Sequence, residues 1–319
     1  MNNIITVRDL KKTFPCKGKV VEAVRGVNLD VFEQEIFGSL GPNGAGKTTT
    51  LRILTTLLPA DSGEAIIAGY NVTTHPKEVR KRIGYVSQQG GADKRATGRE
   101  NLILQAQLYG MRKEAAIKEA NRVIELLALE TCIDRFAFTY SGGQQRRLDI
   151  ALGIMHAPQV LFLDEPTTGL DPQNRANVWQ QIKLLKNEGM SVFITSHYLD
   201  EVDFLADRLA IMDQGKIVEV GTPKELKQNI AGDIISLLVR KEQEEKAIQT
   251  VASQPFVKEV VQDAPYLRLY VEQGDVSLTH ILKLLHQEEI TIHSINMSVP
   301  TLDDVFLKKT GHALREESN

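Results

Sequence analysis

Apolar positions along the chain change period several times, and each change marks an element. Residues 4–7 and 27–31 read as strands. Ile36–Leu40 is a short apolar run that stops at Gly41. Helical character follows over residues 48–57, until Pro59, Ser62 and Gly63 end it. Residues 66–68 read as another strand, closed by Gly69. Over residues 114–129, Ile117, Ala120, Ile124 and Leu127 recur at steps of three and four, which predicts one apolar helix face. Residues 160–163 and 192–195 read as parallel strands buried on both faces. Between them, residues 174–187 read as a helix closed by Gly189. Residues 209–212 and 216–220 flank Asp213-Gln214-Gly215, a hairpin signal. Strands alternating with helices predict an α/β fold with a mainly parallel sheet, to which the early strands add an antiparallel part.

The pattern changes after Gly221-Thr222-Pro223. Strand signals at residues 234–239, 257–261, 267–271 and 290–295 enclose a polar helix at 242–252 and an amphipathic one at 277–287. A turn at residues 263–265 separates the middle strands, and Leu302–Thr310 reads as a last helix. The order β-α-β-β-α-β predicts a small α+β domain of ferredoxin-like type. Two domains are expected, residues 1–221 and 222–319. Leu302, Val305 and Phe306 form an apolar stripe that must be buried somewhere, against this domain's own core, the first domain or a neighbour.

Length agrees with two domains: 319 residues divided by roughly 150 gives about two. Hydrophobic residues at 42% and charged residues at 25% are ordinary for a globular chain and exclude a disordered or collagen-like one. Net charge is 38 − 41 = −3, and the second domain alone carries 11 basic against 15 acidic residues. Neither part presents a basic field, so no nucleic-acid partner is expected. Cys16 and Cys132 suit neither a disulfide framework nor a metal knuckle. The first residues carry no basic stretch followed by an apolar one, so no secretory signal is expected. No apolar run reaches the roughly 18 residues that span a bilayer, so at a membrane a partner would supply the spanning part.

The chemistry begins at Gly41-Pro42-Asn43-Gly44-Ala45-Gly46-Lys47-Thr48, which fits G-x-x-x-x-G-K-[ST] between a strand and a helix. Glycines let successive N–H groups curl toward one anion, and the helix N-terminus adds its positive end. Lys47 is a point charge for β- and γ-phosphates, and Thr48 offers a hydroxyl to Mg²⁺. Downstream, the buried strand at 160–163 ends in Asp164-Glu165, where open α/β sheets bind ligands. Asp164 is placed to hold Mg²⁺ and Glu165 to orient or deprotonate an attacking water.

Tyr140-Ser141-Gly142-Gly143-Gln144 resembles the signature sequence of ABC-type ATPases and lies about twenty residues before the acidic strand, as it does in that family. The resemblance covers residues 1–221. It identifies Gln88 with the Q-loop glutamine, which joins Thr48 and Asp164 at Mg²⁺, and Gly169-Leu170-Asp171 with the D-loop. It identifies His197 with the switch histidine and Phe14 with the ring that stacks on adenine. The family's ATP site further implies Thr49, Gln144 and Asp171 among the nucleotide contacts. Residues 300–307, the trailing Thr310-Gly311, and Arg146-Arg147-Leu148-Asp149 are similar to the drug-resistance exporter ATPases of the daunorubicin-resistance type.

That family works as a dimer. One chain's phosphate loop faces the other's Ser141-Gly142-Gly143, with two ATP molecules between them. The resemblance therefore implies a homodimer, or a heterodimer with a related cassette, bound through a separate permease to the cytoplasmic face of the membrane. Residues 90–156 would form its helical subdomain, and the last domain a regulatory or assembly module. Polysaccharide and lipooligosaccharide exporter ATPases share much of the pattern and stay open as an alternative. A soluble ABC protein acting on ribosomes or nucleic acid would usually carry two cassettes or a long coiled coil, and neither is present. A P-loop GTPase would want an Asn-Lys-x-Asp guanine reader, which is also missing. Three departures stand out. Tyr140 replaces leucine, Gln34 stands where a glycine usually precedes the phosphate-loop strand, and the segment after Gln88 is glycine-rich.

Overall fold

The structure, a computed structural model, describes residues 2–16, 18–229 and 232–311. The chain divides into two compact units, Met1–Val220 and Gly221 onward, one residue before the division expected from the sequence. The first unit opens with two long antiparallel strands, β1 (Asn3–Cys16) and β2 (Lys19–Phe32), followed by β3 (Ile36–Leu40) and α1 (Lys47–Leu54). Then come β4 (Ser62–Ile67), β5 (Tyr70–Asn71), α2 (Pro76–Arg80) and β6 (Ile83–Val86). Helices α3 (Gly98–Leu108), α4 (Lys113–Leu126) and α5 (Gly142–Ile154) lead to β7 (Val160–Asp164) and α6 (Pro172–Asn187). The unit closes with β8 (Ser191–Ser196), α7 (Leu199–Leu205), β9 (Arg208–Asp213) and β10 (Lys216–Gly221).

These strands form two sheets. One is antiparallel, in the order β2-β1-β4-β5; the other runs β10-β9-β3-β8-β7-β6, with parallel pairing from β9 through to β6. Every residue of β3, β7 and β8 is buried, as strands covered on both faces require. Phe37 and Phe162 both pack on Phe193, with centroids 5.7 and 5.6 Å apart, in one core with Ile5, Val7 and Ile67 of the antiparallel sheet and with α1. Ile36, Leu161, Leu163, Val192 and Ile194 belong to a second core, with α3 to α6. Emptying one of the buried rings, as in Phe193→Ala, costs about 3–5 kcal/mol.

Sequence periodicity placed α4 and most of its face. Ala120, Ile124 and Leu127 are buried as expected, with Ala116 and Val123 beside them, and only Ile117 is exposed. Small side chains at 116 and 120 let the helix approach its neighbours closely, which a count of large apolar residues overlooks. The departure at Gln34 is also resolved. Its backbone takes the left-handed conformation (φ 59°) that a glycine would supply, and its N–H donates to Ser191 Oγ at 2.9 Å.

The second unit contains α8 (Pro223–Gln228), β11 (Asp233–Val239), α9 (Glu244–Ala252), β12 (Val257–Asp263), β13 (Tyr266–Val271), α10 (Gly274–Gln287), β14 (Ile292–Ser298) and α11 (Leu302–Thr310). Its antiparallel sheet runs β12-β13-β11-β14, the ferredoxin-like arrangement. Helices α9 and α10 supply Ala247, Val251, Ile281 and Leu285 to a core with Ile235, Leu237, Leu267 and Leu269. Helix α11 packs on α8. Its Asp304 pairs with Arg268 of β13, and its Lys308 lies over the Tyr270 ring, 5.1 Å from the centroid. Leu302, Val305, Phe306 and Leu307 are all buried. The apolar stripe thus lies on a helix tied to its own unit's sheet, and docking it elsewhere is not needed to account for it.

Candidate active site

Strand β3 delivers the phosphate loop from the sheet's C-terminal edge, and α1 begins at Lys47 directly after it. Gly46 sits at φ 100°, and a side chain there would meet Ala23 O at 2.4 Å. Only glycine lets the loop pass under β2 at this point. The loop's outer side is fixed by Gly215 N donating to Ala45 O at 3.0 Å. Asn43 to Thr49 line a cleft of about 510 Å³, together with Phe14, Val20, Val21, Arg25, Glu165 and Gln214. Phe14 and Val21 are paired across β1 and β2 and Val20 is exposed beside them, so an apolar shelf borders the cleft.

Lys47 is buried, and its ammonium donates to Gly41 O at 2.6 Å and Pro42 O at 3.0 Å. Burial pulls its proton affinity down, while Glu165, 3.9 Å away, and Asp164 oppose that shift. Thr48 Oγ1 donates to Asp164 Oδ1 at 3.0 Å, and Thr195 Oγ1 donates to the same oxygen at 2.7 Å. A carboxylate beside a hydroxyl is a sparse, all-oxygen donor set. It suits a hard cation that keeps most of its waters and draws further ligands from phosphate.

Glu165 collects the remaining candidates. His197 Nδ1 lies 3.3 Å from Oε1; Gln88 Nε2 and Thr168 Oγ1 each donate to Oε2 at 3.2 Å. The hydrogen bond with His197 is the largest influence holding this carboxyl below the ordinary carboxylate range, against partial burial, which raises it. Its backbone is left-handed, at φ 46°.

Signature residues take a different place. Ser141 is the N-cap of α5, and with Gln144 it forms a reciprocal capping box: Gln144 N donates to Ser141 Oγ at 3.3 Å and Ser141 N to Gln144 Oε1 at 3.1 Å. Gly143 packs against Asn174, and a side chain there would meet Asn174 Oδ1 at 2.2 Å. Asp171 caps α6 by accepting from Asn174 N at 3.0 Å. None of Ser141, Gly142, Gly143, Gln144 or Asp171 lines the phosphate-loop cleft of this chain. The predicted residues thus fall in two groups: one around Lys47 and Glu165, the other where α5 and α6 begin.

Buried Arg146 fastens three segments, and sequence reading gave it no site role. It donates from Nε to Pro166 O at 2.6 Å, from Nη1 to Ser87 O at 2.7 Å, and from Nη2 to Asp164 O at 3.1 Å. Asp149, one helical turn later, accepts from Gly91 N at 2.9 Å and Ala92 N at 3.3 Å. The signature helix is therefore bonded to both sides of the Gln88 segment. A buried arginine and aspartate three apart on one helix were the available signal.

Comparisons with known proteins decide the family. Residues 24–168 match the ABC transporter family, and residues 221–310 match the C-terminal domain of DrrA1-3-like ATP-binding proteins. The chain is 40% identical to the daunorubicin resistance ATP-binding protein DrrA2 of Streptomyces coeruleorubidus, over 91% of each chain. It belongs to the ABC transporter ATP-binding subunits of the drug-resistance type. The linearmycin resistance ATP-binding protein LnrL of Bacillus subtilis (strain 168) is 35% identical over 98% of this chain and 100% of its own. A dimeric ATP-binding cassette solved in a post-hydrolysis state with ADP and phosphate superposes with TM-score 0.63 and 26% identity, over 68% of this chain and 98% of that one. As an ABC cassette the chain is an ATPase coupled to transport, with the α/β fold expected. Among the described residues, no helix is long and apolar enough to cross a membrane.

Proposed function

We propose that this cassette powers export of a drug-like or lipidic compound through a separate permease, docked on the cytoplasmic face of the membrane. The resistance relatives favour that cargo over a polysaccharide. One observation carries the chemistry: Glu165 lies within reach of Lys47, Gln88 and His197 at the mouth of the phosphate loop.

In this reading the apolar shelf of Phe14, Val20 and Val21 receives adenine. Backbone N–H groups of residues 43–49 and the Lys47 ammonium take the β- and γ-phosphates. Thr48, Asp164 and Gln88 would hold Mg²⁺, whose charge offsets that of the phosphates when bound. Glu165, kept ionised by His197, accepts a proton from the attacking water. The water oxygen bonds to the γ-phosphorus, the bond to the β–γ bridging oxygen breaks, and ADP leaves. His197 orients Glu165 and donates toward the γ-phosphate.

The signature helix N-terminus lies outside the chain's own cleft, so a second copy, or a related cassette, supplies it. Ser141, Gly142 and Gly143 of one chain then donate to the γ-phosphate on the other's loop, beside Gln144 and Asp171. ATP joins the pair and ADP releases it, because the γ-phosphate is what both chains touch.

The experiment is transport into inside-out vesicles carrying the cassette and its permease, with a fluorescent amphiphile as cargo. Accumulation that requires Mg-ATP and disappears with Glu165→Gln supports the reading. ATP hydrolysis with no accumulation of drug-like or lipidic probes would overturn the export assignment.

A further inference from the structure

Glu201, in the first turn of α7, is fully buried. Its Oε1 accepts from Thr167 Oγ1 at 2.7 Å and from the Trp179 indole N–H at 3.1 Å. Burial pushes its proton affinity up. The carboxylate and its two donors belong to three separate segments. Thr167 lies in the loop that carries Glu165, Trp179 lies on α6, and Glu201 itself sits on α7, four residues after His197. The hydrolysis steps above leave this carboxyl unused.

Two features give the three-way link a purpose. Glu165 holds a left-handed backbone, and such strain persists only where the surroundings over-determine it. Its N–H donates to both Thr195 O and Thr195 Oγ1 at 3.1 Å, and Arg146 binds Pro166 O from another direction. Thr167 to Glu201 is a further anchor of that loop, from the side away from the cleft. In addition, the 3.3 Å approach of His197 to Glu165 joins two loops that leave different strands. An error of about 1 Å in such a contact can cost about a hundredfold in rate.

We propose that Glu201 is a positioning residue for ATP hydrolysis, tying the loop after β7 to the loop after β8 so that His197 meets Glu165. The inference rests on the roles given above to those two residues. It differs from them in acting wholly behind the reacting atoms, through Thr167 and the start of α7.

The test is steady-state ATP hydrolysis by the full-length cassette. Thr167→Val removes only the hydroxyl donor and keeps the side chain's shape. It should lower kcat about tenfold and leave KM within about twofold. Glu201→Ala should do the same or more, and Glu201→Gln, which keeps an acceptor oxygen, should recover most of the rate. In a His197→Ala background, Thr167→Val should cost little further. Wild-type kcat in folded Thr167→Val, or an equal tenfold loss with and without His197, would overturn the inference. The parent reading fails separately, if Glu165→Gln and His197→Ala themselves turn over normally.

Discussion

Gln88 Nε2 donates to Glu165 Oε2 at 3.2 Å, joining the loops that follow the neighbouring parallel strands β6 and β7. A glutamine 77 residues upstream thereby shares a carboxylate with a histidine 32 residues downstream. Gln88→Ala removes one donor and leaves His197 in place. Turnover should fall about tenfold, and in a Glu165→Gln background the further loss should be smaller, since the share that acts through the Glu165 carboxyl is already gone and only the share at Mg²⁺ is left. Phosphate-release kinetics on the two single variants and the double variant check this.

With Glu165 as the proposed base, the acid limb of the pH–rate profile should report its carboxyl. Its proton affinity is lowered in the folded chain, so the ionised form persists below the ordinary carboxylate range and activity is lost only as pH falls through that lowered value. His197→Ala removes the largest lowering influence, leaving Lys47 and Thr168 alone to oppose partial burial, which acts upward. The acid limb should move to higher pH in the variant, together with the fall in rate. An unmoved limb in kcat measured from about pH 4 to 8 would contradict the assignment.

Lys47→Ala should weaken ATP itself. The ammonium is buried and held by two loop carbonyls, so it is preorganised toward the loop's interior. Losing a charged hydrogen-bonding group costs about 1.5–3 kcal/mol, or about ten- to a hundredfold in Kd. Titration calorimetry with ATP reads this directly, and equal affinity would count against the phosphate-loop reading.

In the second unit, Arg268 binds Asp263 at 2.7 Å and also pairs with Asp304 and Asp303. Asp263 and Asp304 are both buried. Arg268→Met strands these carboxylates and should destabilise the unit by about 3–5 kcal/mol. Hydrogen exchange should show α11 exposed first, with the first unit's strands protected as before.

Much of this was legible in the chain because its punctuation is local. Residues 160–163 announce a buried parallel strand by being apolar throughout and Ile36–Leu40 by carrying no charge, and the glycines of residues 41–46 point to a phosphate loop. The outer halves of β1 and β2 were not legible. Residues 11–16 and 19–23 are largely exposed and mix polar with apolar side chains without a period of two, yet they carry the shelf beside the cleft. Strand β6 was hidden for another reason: four residues with a glycine among them are too short a run to show a period. Among site residues, Glu165, Lys47 and Asp164 follow from motif and position. Arg146 and Glu201 do not, because their importance lies in bonds to backbone and side chains far away in sequence. Helix α11 was found, but only the fold shows where its apolar side goes.

The central claim is that ATP closes two of these chains over two phosphate loops and that Glu165 then reopens them by hydrolysis. Size-exclusion chromatography of Glu165→Gln with ATP and Mg²⁺ tests it most directly. The account predicts a stable dimer with ATP, monomer with ADP, and loss of the dimer when Ser141→Arg blocks the signature helix N-terminus. A variant that stays monomeric at saturating Mg-ATP, while binding the nucleotide as tightly as the native chain, would contradict it.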